Sequence, residues 1–241
     1  MNSSGPLGPG HDRRFYLAWI VANAVSEAVG LGTTFAIGFT LAPIIERLSG
    51  VASTLLAVLL AVVLGTLLEG VVVGAAQESV LRPFLSRLRR GSWVVATAVG
   101  AALAWALGMI PSTVMALTFS GSAPGAVTEP PMAVKIVLAA GLGLIAGPVL
   151  GMAQWTVLRR YVDRAGRWLW ANALAWAVGM PLIFLGMDVV PWNGHPWALM
   201  VVVYAVCGTT GVAVGAIHGR VLIQLLSRSQ GLASQLPVKP A

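Results

Sequence analysis

Six long apolar stretches constrain this chain more than any motif in it. They run over about 15–42, 51–76, 93–117, 132–158, 168–190 and 197–226. A helix of about 20 mostly apolar residues crosses the hydrocarbon core of a bilayer, and each stretch reaches that length. Only 10% of the residues are charged, against roughly a quarter in soluble domains. So few charges cannot cover the surface of a soluble fold of this size. The expected fold is therefore an all-α integral membrane protein with six transmembrane helices. Residues 1–12 and 231–241, rich in Gly, Pro and Ser, read as unstructured tails flanking one membrane domain over 13–230.

The charges orient the bundle. Of the fifteen Lys and Arg residues, Arg13, Arg14, Arg82, Arg87, Arg89, Arg90, Arg159, Arg160, Arg164, Arg167, Arg220, Arg228 and Lys239 fall on one side of a six-span topology; Arg47 and Lys135 fall on the other. Short basic loops stay in the cytoplasm, so both termini are expected there, with the chain in the cytoplasmic membrane. The formal charge of +7 then reflects topology and attraction to anionic headgroups, and no nucleic-acid partner is expected. Trp19, Trp93, Trp155, Trp168 and Trp170 lie near the basic ends of the spans, and Trp192 and Trp197 near the opposite ends. Most of the seven read as anchors at headgroup level.

The sequence also repeats. Ala-Asn-Ala or Ala-Thr-Ala centres fall at Asn23, Thr97 and Asn172 in the odd spans, 74 and 75 residues apart. In the even spans, Gln77, Gln154 and His218 occupy one position, each preceded by glycines four residues apart: Gly70 and Gly74, Gly147 and Gly151, Gly211 and Gly215. Each unit, over about 14–82, 90–159 and 167–226, reads as a helical hairpin that crosses out and back. Three parallel repeats predict hairpins related by an axis along the membrane normal, here a pseudo-threefold. The glycine faces read as close helix-packing surfaces. The QWTVLRR stretch from Gln154, with the Gly-rich helix before it, resembles repeats of uncharacterised bacterial multi-pass membrane proteins; the resemblance covers the hairpin unit and implies no activity.

Sites for chemistry are sparse. No HExxH, CxxC, P-loop or strand-linked GxGxxG occurs. The one cysteine, Cys207, permits neither an internal disulfide nor a cysteine zinc site. His11, His195 and His218 are too scattered for a metal or triad site, and His218 reads as a hydrogen-bonding group at a helix end. An enzyme is not expected, and no cofactor is indicated.

Two residues break this pattern. Glu27 and Glu69 lie deep in the first hairpin, where a carboxylate is costly and usually faces a cavity or the bundle interior. The repeat places Ala101 and Trp176 at the position of Glu27, and Ala146 and Thr210 at that of Glu69. Each acid stands 13 residues from an arginine, Arg14 or Arg82, so both sit roughly 20 Å along their helices at similar height. A shared site would disfavour the doubly charged pair. Asn23, one turn from Glu27, reads as a hydrogen-bonding partner for it.

Two functions remain open on this reading. The first is a binding or accessory subunit of a membrane assembly, with lipid and other membrane subunits as partners. The alternative is a small-solute, proton or cation transporter using Glu27 and Glu69. The loops over 119–131 and 188–196 would cap a cavity or dock a partner.

Overall fold

The computed structural model describes residues 9–48, 51–118, 130–190, 192 and 194–235. The described residues form six helices: α1 (Pro9–Ile45), α2 (Val51–Leu81), α3 (Ser92–Thr118), α4 (Met132–Leu158), α5 (Arg167–Asp188) and α6 (Pro196–Gln235). All six contain a segment long and apolar enough to cross a membrane, and no strand occurs among the described residues.

The helices overrun the expected spans at several ends. Residues 9–12 and 231–235, assigned to the tails from sequence, are helical. Once a helix is nucleated, each further residue costs little, so a polar extension can continue it. At the end of α6, buried Leu222, Leu225 and Leu226 anchor the extension, and Ser229 Oγ accepts the Asp163 N–H at 3.2 Å. Residues 1–8 and 236–241 of the tails, and 119–129 of the first long loop, lie outside the described residues.

Each helix packs antiparallel against its neighbours in the chain, and α6 returns to pack against α1. The six helices thus close a ring, and among the described residues the backbones of non-neighbouring helices do not meet. Small residues allow the close approach that association in lipid requires. The glycines of each even helix lie on the odd helix of the next hairpin. A Cβ at Gly70 would stand 2.8 Å from Ala98 Cα, one at Gly147 2.5 Å from the Asn172 carbonyl oxygen, and one at Gly211 2.5 Å from that of Asn23.

The two ends of the ring differ. The end carrying most of the arginines is filled by a core that includes Phe15, Trp19, Leu81, Trp93, Leu158 and Trp168. The opposite end has a smaller core around Leu31, Ile183, Val203 and Cys207. Helix α2 divides in the same way. Its segment Val71–Leu81 buries Val73, Gly74, Gln77, Glu78 and Leu81, whereas no residue of Val51–Leu64 is buried. Between them, Gly65–Gly70 winds as a π-helix. Such turns are rare and recur at functional sites because the extra residue re-aims the side chains beyond it.

Candidate functional site

Three tryptophans close the basic end. Trp19, Trp93 and Trp168 are fully buried, which corrects their assignment as headgroup anchors. Each indole N–H lies inside the ring and donates to the polar residue of the preceding even helix: Trp93 to Gln77 Oε1, Trp168 to Gln154 Oε1 and Trp19 to His218 Nδ1, all at 2.9 Å. A buried indole needs such an acceptor, and the Gln/His position supplies one in every hairpin. The rings also touch: Trp168 lies edge-on to Trp19 at 6.2 Å and to Trp93 at 5.9 Å. Trp170, Trp192 and Trp197 are well exposed and remain suited to a headgroup position.

Above this plug the polar residues form one network. Gln77 Nε2 donates to Asn23 Oδ1 at 2.9 Å, and Gln154 Nε2 donates to Gln77 Oε1 at 3.1 Å and to Thr97 Oγ1 at 3.0 Å. Asn23 Nδ2 donates to the Trp19 carbonyl at 2.7 Å, and Asn172 Nδ2 to that of Trp168 at 2.9 Å. Asn23 is therefore engaged by Trp19 and Gln77 and does not serve as the partner of Glu27. Glu27 Oε2 is buried with no hydrogen-bond partner.

Glu27 and Glu69 come to the same place at the centre of the ring. Both line a small axial pocket with Asn23, Gln77, Thr97 and His218. Its volume of about 10 Å³ is close to what a single water needs. The residues equivalent to Glu27, Ala101 and Trp176, line it too. One position of the repeat thus supplies an acid, a gap and a bulky wall to the same point on the axis. Gly30 brings the acid-bearing helices together: a Cβ there would stand 2.8 Å from Glu69 Cα. Glu27 is three residues from Gly30, so the acids are offset by about one turn, roughly 4.5 Å of rise.

Glu69 also faces the opposite way. It lies in the π-helical turn of α2 and accepts the Trp105 indole N–H at 2.7 Å through Oε2. Trp105 reaches it by crossing Gly65, where a Cβ would collide with the indole ring. Beyond Glu69 opens a cavity of about 390 Å³. Its lining climbs from Glu69, Gly147 and Leu150 to Met187 and Trp192 near the far ends of the helices. Glu69, with Ala101, Leu150 and Trp176, thus lines both the apolar chamber and the polar pocket on the axis.

Glu78, which carried no sequence-level signal, has a separate role. Its Oε1 accepts the Gly91 N–H at 2.8 Å and its Oε2 the Trp93 N–H at 3.1 Å. An anion at the start of α3 satisfies orphan donors and complements the helix dipole. Gly91 adopts a φ of 76° to turn the chain into that arrangement, a conformation glycine reaches without a steric penalty.

No group of three or more His, Cys, Asp or Glu residues suited to a metal occurs among the described residues. Comparison with protein-family models, curated proteins and solved structures finds no match for the chain.

Proposed function

We propose that this protein is a small membrane carrier that moves protons or cations by way of Glu27 and Glu69, in preference to an accessory subunit. One observation carries the reading: Glu69 lines both the far-end cavity and the axial pocket that holds Glu27. Acids serving only to hold helices together would be packed dry and fully hydrogen-bonded. Instead Glu27 keeps an unpartnered buried oxygen, at the end of a route whose other side is sealed by the three tryptophans. A chamber toward the far end and a plug at the basic end is an arrangement that one state of an alternating carrier would use.

The test is proton movement into vesicles. Vesicles holding the purified protein, under an inside-negative potential, should acidify several-fold faster than protein-free vesicles, as read by a trapped pH dye. Equal rates would return the accessory role to first place.

The same reading makes the arginine-rich end cytoplasmic and the opposite end, toward which the cavity extends, external, on the strength of the thirteen-to-two basic asymmetry. A reporter fused after Ala241 should accordingly be active only in the cytoplasm; activity on the external side with normal insertion would reverse the orientation. The recurrence of Trp-to-Gln/His bonds and of glycine contacts at equivalent positions supports three hairpins about a pseudo-threefold axis. In that frame hairpin one is the specialised unit, since it alone contributes acids to the axis.

A further inference from the structure

The walls of the far-end cavity carry information about what enters it. Aromatic rings run in contact along it from near the far helix ends down to Glu69. Trp192 lies edge-on to Phe39 with centroids 4.9 Å apart, Phe39 stacks on Phe35 at 5.9 Å, and Phe35 meets Trp105 at 6.2 Å. Trp105 then donates its N–H to Glu69. Among the described residues, Glu69 is the only ionisable side chain in the lining, which is otherwise apolar or aromatic.

We propose that this cavity binds a lipophilic organic monocation, of the quaternary ammonium or aryl phosphonium kind, with its charge directed at Glu69 and its apolar groups against the aromatic walls. The proposal names the solute class of the carrier reading and rests on that reading for the use of the site. Aromatic faces attract a cation and tolerate its apolar substituents, so a row of them offers successive resting positions toward the acid. The volume of about 390 Å³ falls within the range of small-molecule sites.

Other occupants fit less well. A hard metal ion needs several oxygen ligands, and the lining offers one carboxyl group. An anion would meet the Glu69 carboxyl with no basic residue among the described lining residues to offset it. A neutral hydrocarbon would fill the walls and make no use of the one ionisable group among the described lining residues.

Equilibrium dialysis of tritiated methyltriphenylphosphonium against the purified full-length chain in detergent tests this, with empty micelles as background. Saturable binding near one per chain is expected. Unlabelled methyltriphenylphosphonium should displace the label, whereas triphenylphosphine oxide, a neutral compound of nearly the same shape, should compete at least about tenfold more weakly, since it lacks the charge the acid would hold. Glu69→Gln should weaken binding by a similar factor. Phe39→Ala, remote from the acid and only half-buried, should weaken it about fivefold through loss of one cation–π face. Displacement by the oxide as effective as by the cation would overturn the proposal, as would unchanged affinity in a monodisperse Glu69→Gln protein. If Glu69→Gln does not fold, the wild-type competition alone decides. Cation binding without any proton flux would leave the ligand site standing and remove proton movement from the carrier reading; proton flux without saturable binding would remove the ligand site and leave the proton carrier.

Discussion

Gly147→Leu is expected to lower the thermal unfolding midpoint, while Gly141→Leu, six residues earlier on the same helix, leaves it unchanged or raises it. The two exchanges add the same side chain to α4 and differ only in what it meets. At Gly147 a Cβ would stand 2.5 Å from the Asn172 carbonyl oxygen and 3.2 Å from Ala173 Cα, whereas nothing lies within 4 Å of one at Gly141. The obstruction at Gly147 is backbone, which cannot rotate aside, so α4 and α5 must part along their length. Overpacking of this kind costs typically 1–3 kcal/mol and occasionally more, and each kcal/mol shifts the midpoint by roughly 2–4 °C in a soluble chain of this size. A drop on the order of 10 °C follows if the cost lies at the upper end of that range. At Gly141 the exchange instead removes a poor helix former. Gly151→Leu should fall between the two, because a Cβ there meets the Asn172 side chain at 3.1 Å, and a side chain has some freedom to yield. Equal midpoints for the Gly147 and Gly141 variants in lipid would show that the glycine face is not a contact surface.

The six helices were legible because the bilayer imposes a length and a composition that no local detail can hide. The glycine pairs marked close-packing faces, but their partners were not readable from sequence. Gly70, Gly147 and Gly211 lean on the following hairpin, not on their own, and spacing within a repeat says nothing about contact between repeats. The three tryptophans were misplaced for a related reason. Near a span end, the headgroup preference of indole and a buried indole bonded to glutamine produce the same sequence position. The repeat itself held the correction: Trp19, Trp93 and Trp168 stand four residues before Asn23, Thr97 and Asn172 and share their spacing of 74 and 75. An anchor facing lipid has no reason to keep the register of an interior residue. The π-helical turn at Gly65–Gly70 and the role of Trp105 left no such mark. Both depend on how α2 meets α3, a tertiary relation with no periodic signature. Glu27 and Glu69 stood out because an acid deep in an apolar run is costly wherever it faces. The cavity that gives Glu69 its second face could not be deduced from the acid alone.

Glu27→Gln should reduce proton entry into reconstituted vesicles at least about tenfold, toward the rate of protein-free membranes, while the bundle stays folded. Glutamine has the shape of glutamate and can still hydrogen-bond, so the substitution leaves the packing of α1 in place. Glu27 Oε2 makes no hydrogen bond that the amide would break, and Asn23 is already held by Gln77 and Trp19. What the amide cannot do is bind and release a proton. No neighbour is placed to replace that capacity. Asn23, Gln77 and Thr97 do not titrate in the accessible range, and His218 already accepts the Trp19 N–H through Nδ1. A proton reaching Glu69 from the cavity would then have no acceptor further along the axis, and each such break in a relay removes a step that geometry alone cannot bypass. Glu27→Asp keeps the carboxyl group on a shorter arm and should retain part of the flux, which separates loss of the proton from loss of the fold. Size-exclusion profiles and thermal midpoints matching wild type would establish that both variants are intact. A folded Glu27→Gln protein that still passes protons at the wild-type rate would reduce Glu27 to a structural acid and place any proton traffic on Glu69 alone.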